Sequence, residues 1–231
     1  ALNLITKKLA GKVLTLKSLG EDCIINPYKT WVNGCGEDDD DDAEANPINS
    51  YDPNDIYGYQ AQSGSKAIKK GLEEVYYTIE FENDPEFAST SAHEVTVTDT
   101  LDHTRFDLDS FRPTGFGDRQ VELDGEPSTI VTVDMRPEVN AIAQMNLDYN
   151  AEKGIAKWKF ISLDPMTMEP TDNPMSGFLP VNSNGNGIGE VSFHIGLRST
   201  LDDGDKIENR AAIVFDQNDP IITPTWTNIV D

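Results

Sequence analysis

From Val75 to Val230 the sequence alternates apolar and polar residues repeatedly, and this period of two constrains the fold more than any other feature. Successive side chains of a strand point to opposite faces, so alternation marks a strand with one buried face. Val75-Tyr-Tyr-Thr-Ile-Glu-Phe81 alternates, and His93-Glu-Val-Thr-Val-Thr-Asp99 sets Val95 and Val97 on one face. Further strand patterns cover 105–111, 120–123, 130–135, 141–149, 155–163, 189–197, 206–215 and 221–230. Turn formers stand between them: Asn83-Asp-Pro, Asp124-Gly, Lys153-Gly, Asn184-Gly-Asn-Gly and Asp202-Asp-Gly. Lys153-Gly, between two alternating runs, predicts a hairpin. Many short strands at this spacing predict an all-β chain folded as an antiparallel β-sandwich. No long helical pattern competes, although 65–74 has room for a turn of helix.

The first 49 residues read differently from residues 50–231, and we treat them as an N-terminal arm on a sandwich domain. The arm holds one strand pattern, Lys12, Val13, Leu14, Thr15, Leu16, Lys17 and Ser18, far from the remaining strands. Between them run Cys23 and Cys35, the acidic run from Glu37 to Asp42, and a proline- and asparagine-rich stretch. So long a connection is unusual inside a compact domain unless it is functional, metal-ordered or a linker. Cys23 and Cys35 are the two cysteines of the chain, flanked by Asn, Pro and Gly. In an exported protein they read as a single disulfide loop. A two-cysteine zinc site would need histidine partners, and His93, His103 and His194 are scattered.

Charge excludes some partners. The 231 residues carry a formal net charge of −23, with 41 acidic and 18 basic side chains. Such a surface repels nucleic acid and anionic membrane. It suits salty or calcium-containing surroundings, where self-repulsion is screened. The acidic excess lies wholly beyond residue 20, because 1–20 hold Lys7, Lys8, Lys12 and Lys17 and no acid. A basic arm and an acidic body are complementary, within one chain or between copies; otherwise the four lysines simply solvate one face. No apolar run of about 18 residues, the length of a membrane-spanning helix, occurs. The sequence opens at Ala1 without an initiator Met and without a recognisable signal peptide, as a processed or excised fragment would.

An ordered series of motifs carries a family resemblance. Ser50-Tyr-Asp-Pro-Asn-Asp55 is followed by Tyr77-Thr-Ile-Glu-Phe-Glu-Asn83 and Val95-Thr-Val-Thr-Asp-Thr-Leu-Asp102. Then come Gly177-Phe-Leu-Pro-Val-Asn182, Gly189-Glu-Val-Ser-Phe193 and Ile207-Glu-Asn-Arg-Ala-Ala-Ile-Val-Phe-Asp-Gln-Asn-Asp-Pro-Ile-Ile-Thr223. Over residues 50–231 the chain resembles the bacterial "conserved repeat" type of domain of unknown function, found in large secreted and cell-surface proteins. The resemblance implies an immunoglobulin-like sandwich, an exported location and a role as a module of adhesins, stalks or surface layers. It implies no ligand and no catalytic residue.

Calcium is the first chemistry to weigh. It takes six to eight oxygens from carboxylates, amides, backbone and water. Asp52, Asn54 and Asp55 offer such oxygens before the first core strand, and Asp216, Asn218 and Asp219 offer them after a late one. If the two ends of the sandwich meet, the six form one candidate calcium site. The competing reading is a pair of Asx turns whose side chains bond their own backbone. The Asp38–Asp42 run is the kind of like-charge cluster that water solvates. Catalysis finds little support: no G-x-S-x-G occurs, and the histidines sit in or beside strand patterns. Trp31, Tyr51, Tyr57 and Tyr59 are candidates for a sugar-binding face, whereas Trp158 reads as core. Asn209 is the residue type that a lysine–asparagine cross-link beside a buried acid requires; bonding within its sheet is the simpler role.

The sequence therefore points to a non-enzymatic, secreted or cell-surface structural module of a bacterial surface assembly, stabilised by calcium. A strand such as Lys12–Ser18 can add to an exposed sheet edge of the next copy and build a head-to-tail filament. Its partners would be other copies of itself or neighbouring domains of a larger surface protein. The alternative is a carbohydrate-binding module of a secreted protein.

Overall fold

A computed structural model describes residues 54–61, 64–115, 126–171 and 173–231, and the backbone alone of 4–9, 12–17, 116 and 121–122. No helix occurs among the described residues. The expected all-β, antiparallel, immunoglobulin-like sandwich is what forms.

Two sheets enclose the core. The five-stranded sheet has the order β3-β5-β12-β7-β8: Asp55–Tyr57, Glu74–Glu82, Ile188–Leu197, Phe106–Phe116 and Val121–Glu122. The six-stranded sheet has the order β15-β14-β6-β11-β10-β9: Ile221–Ile222, Ala211–Phe215, Glu94–Thr100, Ile155–Leu163, Ile142–Asn150 and Thr129–Asp134. A three-stranded sheet joins β13 (Lys206–Asn209), β16 (Trp226–Val230) and β4 (Ala67–Ile68). All the pairings are antiparallel except β16 with β4.

Alternation does what it predicts. Val75, Tyr77, Ile79 and Phe81 of β5 face Val95, Val97, Trp158 and Phe160 across a closed core. Phe193 lies at its centre, with ring centroids 5.5 Å from Tyr77, 5.2 Å from Phe111 and 5.8 Å from Trp158. Aromatic groups of this size dominate the burial that holds two sheets together.

The structure corrects several details. The 65–74 stretch forms no helical turn: Ala67–Ile68 is strand, and Glu74 opens β5. Tyr57, a candidate for the sugar-binding face, ends β3. The 206–215 run is two strands in two different sheets, and 221–230 is likewise two strands. At the N-terminus, the Lys12–Lys17 strand β2 pairs with β1 (Leu4–Leu9), so it is half of a hairpin and not a lone strand. Ser18, Asp52, Cys23, Cys35, Trp31, Tyr51 and the acidic run lie outside the described residues.

Candidate functional site

The two turns proposed for calcium serve the backbone of different sheets. Asp216 follows β14 with a left-handed φ of 49°. Its Oδ1 accepts from the N–H of His93 at 3.0 Å and of Glu94 at 2.9 Å, at the start of β6. Its own N–H donates to Glu94 O at 2.8 Å. The N–H of Asn218 donates to Phe215 O at 2.9 Å, closing the turn. At the other turn, Asn54 is buried and its Oδ1 lies 3.4 Å from the N–H of Glu82 in β5. Asp55 Oδ1 accepts from the N–H of Ile56 at 2.7 Å. Among the described residues, no group of three or more His, Cys, Asp or Glu side chains is placed to hold a metal ion. The side-chain oxygens of Asp216, Asn54 and Asp55 face backbone N–H groups at or beside their turns.

Asp55 instead belongs to a row that the sequence hides. It stands opposite Glu80 of β5, and Glu80 stands opposite Glu190 of β12. Strand parity places all three on the outer face of the five-stranded sheet, because their neighbours Ile56, Ile79 and Val191 are buried. Register, not sequence spacing, assembles this row.

The most perturbed group lies inside. Asp99 has the same parity as Val95 and Val97 and is fully buried. Burial pushes its carboxyl up to about 7, against the opposing pull of the Asn209 amide and the nearby Thr100 N–H. Asn209 Nδ2 donates to Asp99 Oδ2 at 2.8 Å. Asn209 therefore does sit beside a buried acid. The residue that faces this acid from β5 is Tyr77, whose phenol is raised by burial and by the charge of Asp99. No lysine is among the groups that shift Asp99.

Of the described aromatic candidates, Tyr57 packs edge-on against Trp226 at 6.3 Å, while the histidines take separate partners. Trp158 is buried, and Trp226 is 8% exposed with Lys66 Nζ 3.4 Å from its ring centroid. Trp226 Nε1 donates to Asn228 Oδ1 at 2.9 Å, and Asn228 Nδ2 donates to Tyr59 O and Lys66 O. These contacts spend Trp226 on tying down the 59–66 segment. His93 Nε2 lies 2.7 Å from Asn173 O, His194 Nδ1 3.5 Å from Glu74, and His103 Nδ1 4.0 Å from Asp102. None of these partners is a serine hydroxyl, as a nucleophile relay would require.

A family model matches most of the chain. Residues 52–160 and 176–229 match the domain of unknown function DUF7619, and the chain belongs to that family. No curated protein matches it in sequence. Among solved structures it is similar to the C-terminal domain of the antigen I/II-family protein AspA of Streptococcus pyogenes, at 14% identity and a TM-score of 0.40, over 76% of this chain and 46% of that one. It is similar also to the N-terminal domain of the Streptococcus gordonii adhesin Sgo0707, at 10% identity and a TM-score of 0.41, over 78% and 33%. A collagen-binding domain from a Staphylococcus aureus adhesin aligns at 10% identity and a TM-score of 0.39, over 78% and 98%. The chain thus spans less than half the length of the first two.

Proposed function

We propose that the protein is a non-enzymatic, extracellular structural module of a bacterial surface assembly, joined to further copies by strand addition. One observation carries the non-enzymatic part. The carboxyl driven furthest from its ordinary value, Asp99, is wholly buried between the sheets and bonded to Asn209. An enzyme needs its perturbed acid at a cleft. The ordered motifs shared with modules of large secreted and surface proteins support the location. Strand addition is supported by the basic hairpin β1–β2 and by the edge strands of the six-stranded sheet, β9 and β15. A two-stranded hairpin is marginal by itself and gains from a further sheet.

Light scattering on the full chain and on a chain beginning at Glu21 tests this reading. Oligomers formed by the full chain and absent from the shorter one are expected. Equal masses for both overturn strand addition. A monomer retained on a polysaccharide column would replace it with the carbohydrate-binding alternative.

A further inference from the structure

Three buried side-chain atoms of the described core have no hydrogen-bond partner: Tyr77 Oη, Asp99 Oδ1 and Trp158 Nε1. Buried polar groups are nearly always paired, so three orphans in one core call for a cause. Both sheets supply them. Tyr77 lies on β5, while Asp99 and Trp158 lie on the adjacent strands β6 and β11. Asp99 stands opposite Ala156, two residues before Trp158, so Trp158 is its diagonal neighbour on the same face. That spacing is within reach of an aromatic side chain. Tyr77 and Trp158 both pack on Phe193. On the other side of Asp99 in register is Ala211 of β14. The residues flanking Asp99 on both neighbouring strands are therefore alanines, the smallest side chains after glycine. An internal water typically makes about three hydrogen bonds to otherwise unmet groups, and three are present.

The charges around the site decide its protonation. β5 presents the phenol of Tyr77, and the phenol of Tyr149 on β10 is pushed up to about 12 by burial, then by Asp109, Asp107 and Asp99. β13 presents the amide of Asn209, and β11 and β14 present alanines. No cation is among the groups that act on Asp99. An ionised carboxylate would stand there uncompensated.

We propose that Asp99 is a proton-binding site: as a neutral acid it shares one buried water with Tyr77 Oη and Trp158 Nε1, and so latches the two sheets together. The water accepts from the Asp99 O–H and the Trp158 N–H and donates to Tyr77 Oη. Loss of the proton leaves a buried carboxylate that has the Asn209 amide as donor but no cation to offset its charge, and this weakens the latch. The folded chain binds this proton more tightly than the unfolded chain, whose aspartates titrate near about 4. The stabilisation is therefore full below about pH 4, declines as pH rises, and is gone once pH passes the folded midpoint near 7.

Two measurements on the full chain test this. Carbon-13 NMR titration of the aspartate carboxyls is expected to show one midpoint near 7, absent from Asp99→Asn. Thermal unfolding from about pH 4.5 to 8.5 is expected to show Asp99→Asn gaining on the native chain as pH rises, then levelling. Aspartates that all titrate in the ordinary range overturn the proposal, as does a melting difference that does not vary with pH. So does a high-resolution crystal structure with no water between the three atoms. If Asp99→Asn fails to fold, the titration of the native chain decides alone.

Discussion

Asp216 adopts a left-handed backbone because its carboxylate reaches across to the two N–H groups that open β6. Replacing it with Ala removes that acceptor and keeps the unfavourable φ. The two effects together cost about 1–2 kcal/mol. Because the loss comes from turn closure, Asp216→Ala is expected to lower the melting temperature equally in calcium and in EDTA. A loss confined to calcium would assign the carboxylate to a metal. At this scale the sequence was half legible. Asp216 stands out as an acid directly after a strand pattern, and Asn209 as an amide within one. Asp99 carries no motif of its own, although its parity with Val95 and Val97 places a carboxylate on a buried face. The row of Asp55, Glu80 and Glu190 was beyond reach, since only register sets those three residues opposite one another.

Long strands were legible because nine or ten alternating residues overwhelm local exceptions: β5, β11 and β12 lie within one residue of the pattern at each end. Short ones were not. β3, β4 and β15 have two or three residues each, too few for a period, and are strands only because a neighbour offers a ladder. The break between β13 and β14 has a local cause. Asn209 Oδ1 takes the N–H of Arg210 at 2.9 Å, and Thr223 Oγ1 takes that of Ala211 at 3.0 Å, so the chain leaves one sheet and enters another. Pro224, with no N–H to offer, stands between β15 and β16. The β10–β11 hairpin matches the Lys153-Gly signal for a definite reason. Gly154 has a φ of 66°, and a Cβ there would lie 2.5 Å from Leu101 O. Gly154→Ala is therefore expected to cost at least about 2 kcal/mol in denaturant unfolding, from the left-handed penalty and the displaced backbone. A loss below about 0.5 kcal/mol, the range of an ordinary surface substitution, would show that Leu101 moves freely.

The molecule as a whole sets a large single-sign charge against a closed aromatic core. A formal charge of −23 on 231 residues repels itself most in the compact state. The ion pairs that offset this repulsion, such as Lys70 with Asp202 at 2.7 Å and Lys159 with Glu94 at 3.0 Å, are exposed and individually weak. Repulsion should therefore dominate the response to salt. Raising sodium chloride from about 10 mM to about 150 mM shortens the screening length from about 30 Å to about 8 Å. The melting temperature is expected to rise over that interval, whereas a fold held together by salt bridges would melt lower. Where screening alone acts, calcium chloride at matched ionic strength raises it by a similar amount. A melting temperature that falls with sodium chloride would mean that the ion pairs outweigh the repulsion. A clear excess for calcium would mean that donors beyond the described residues, Asp52 first among them, complete a specific site.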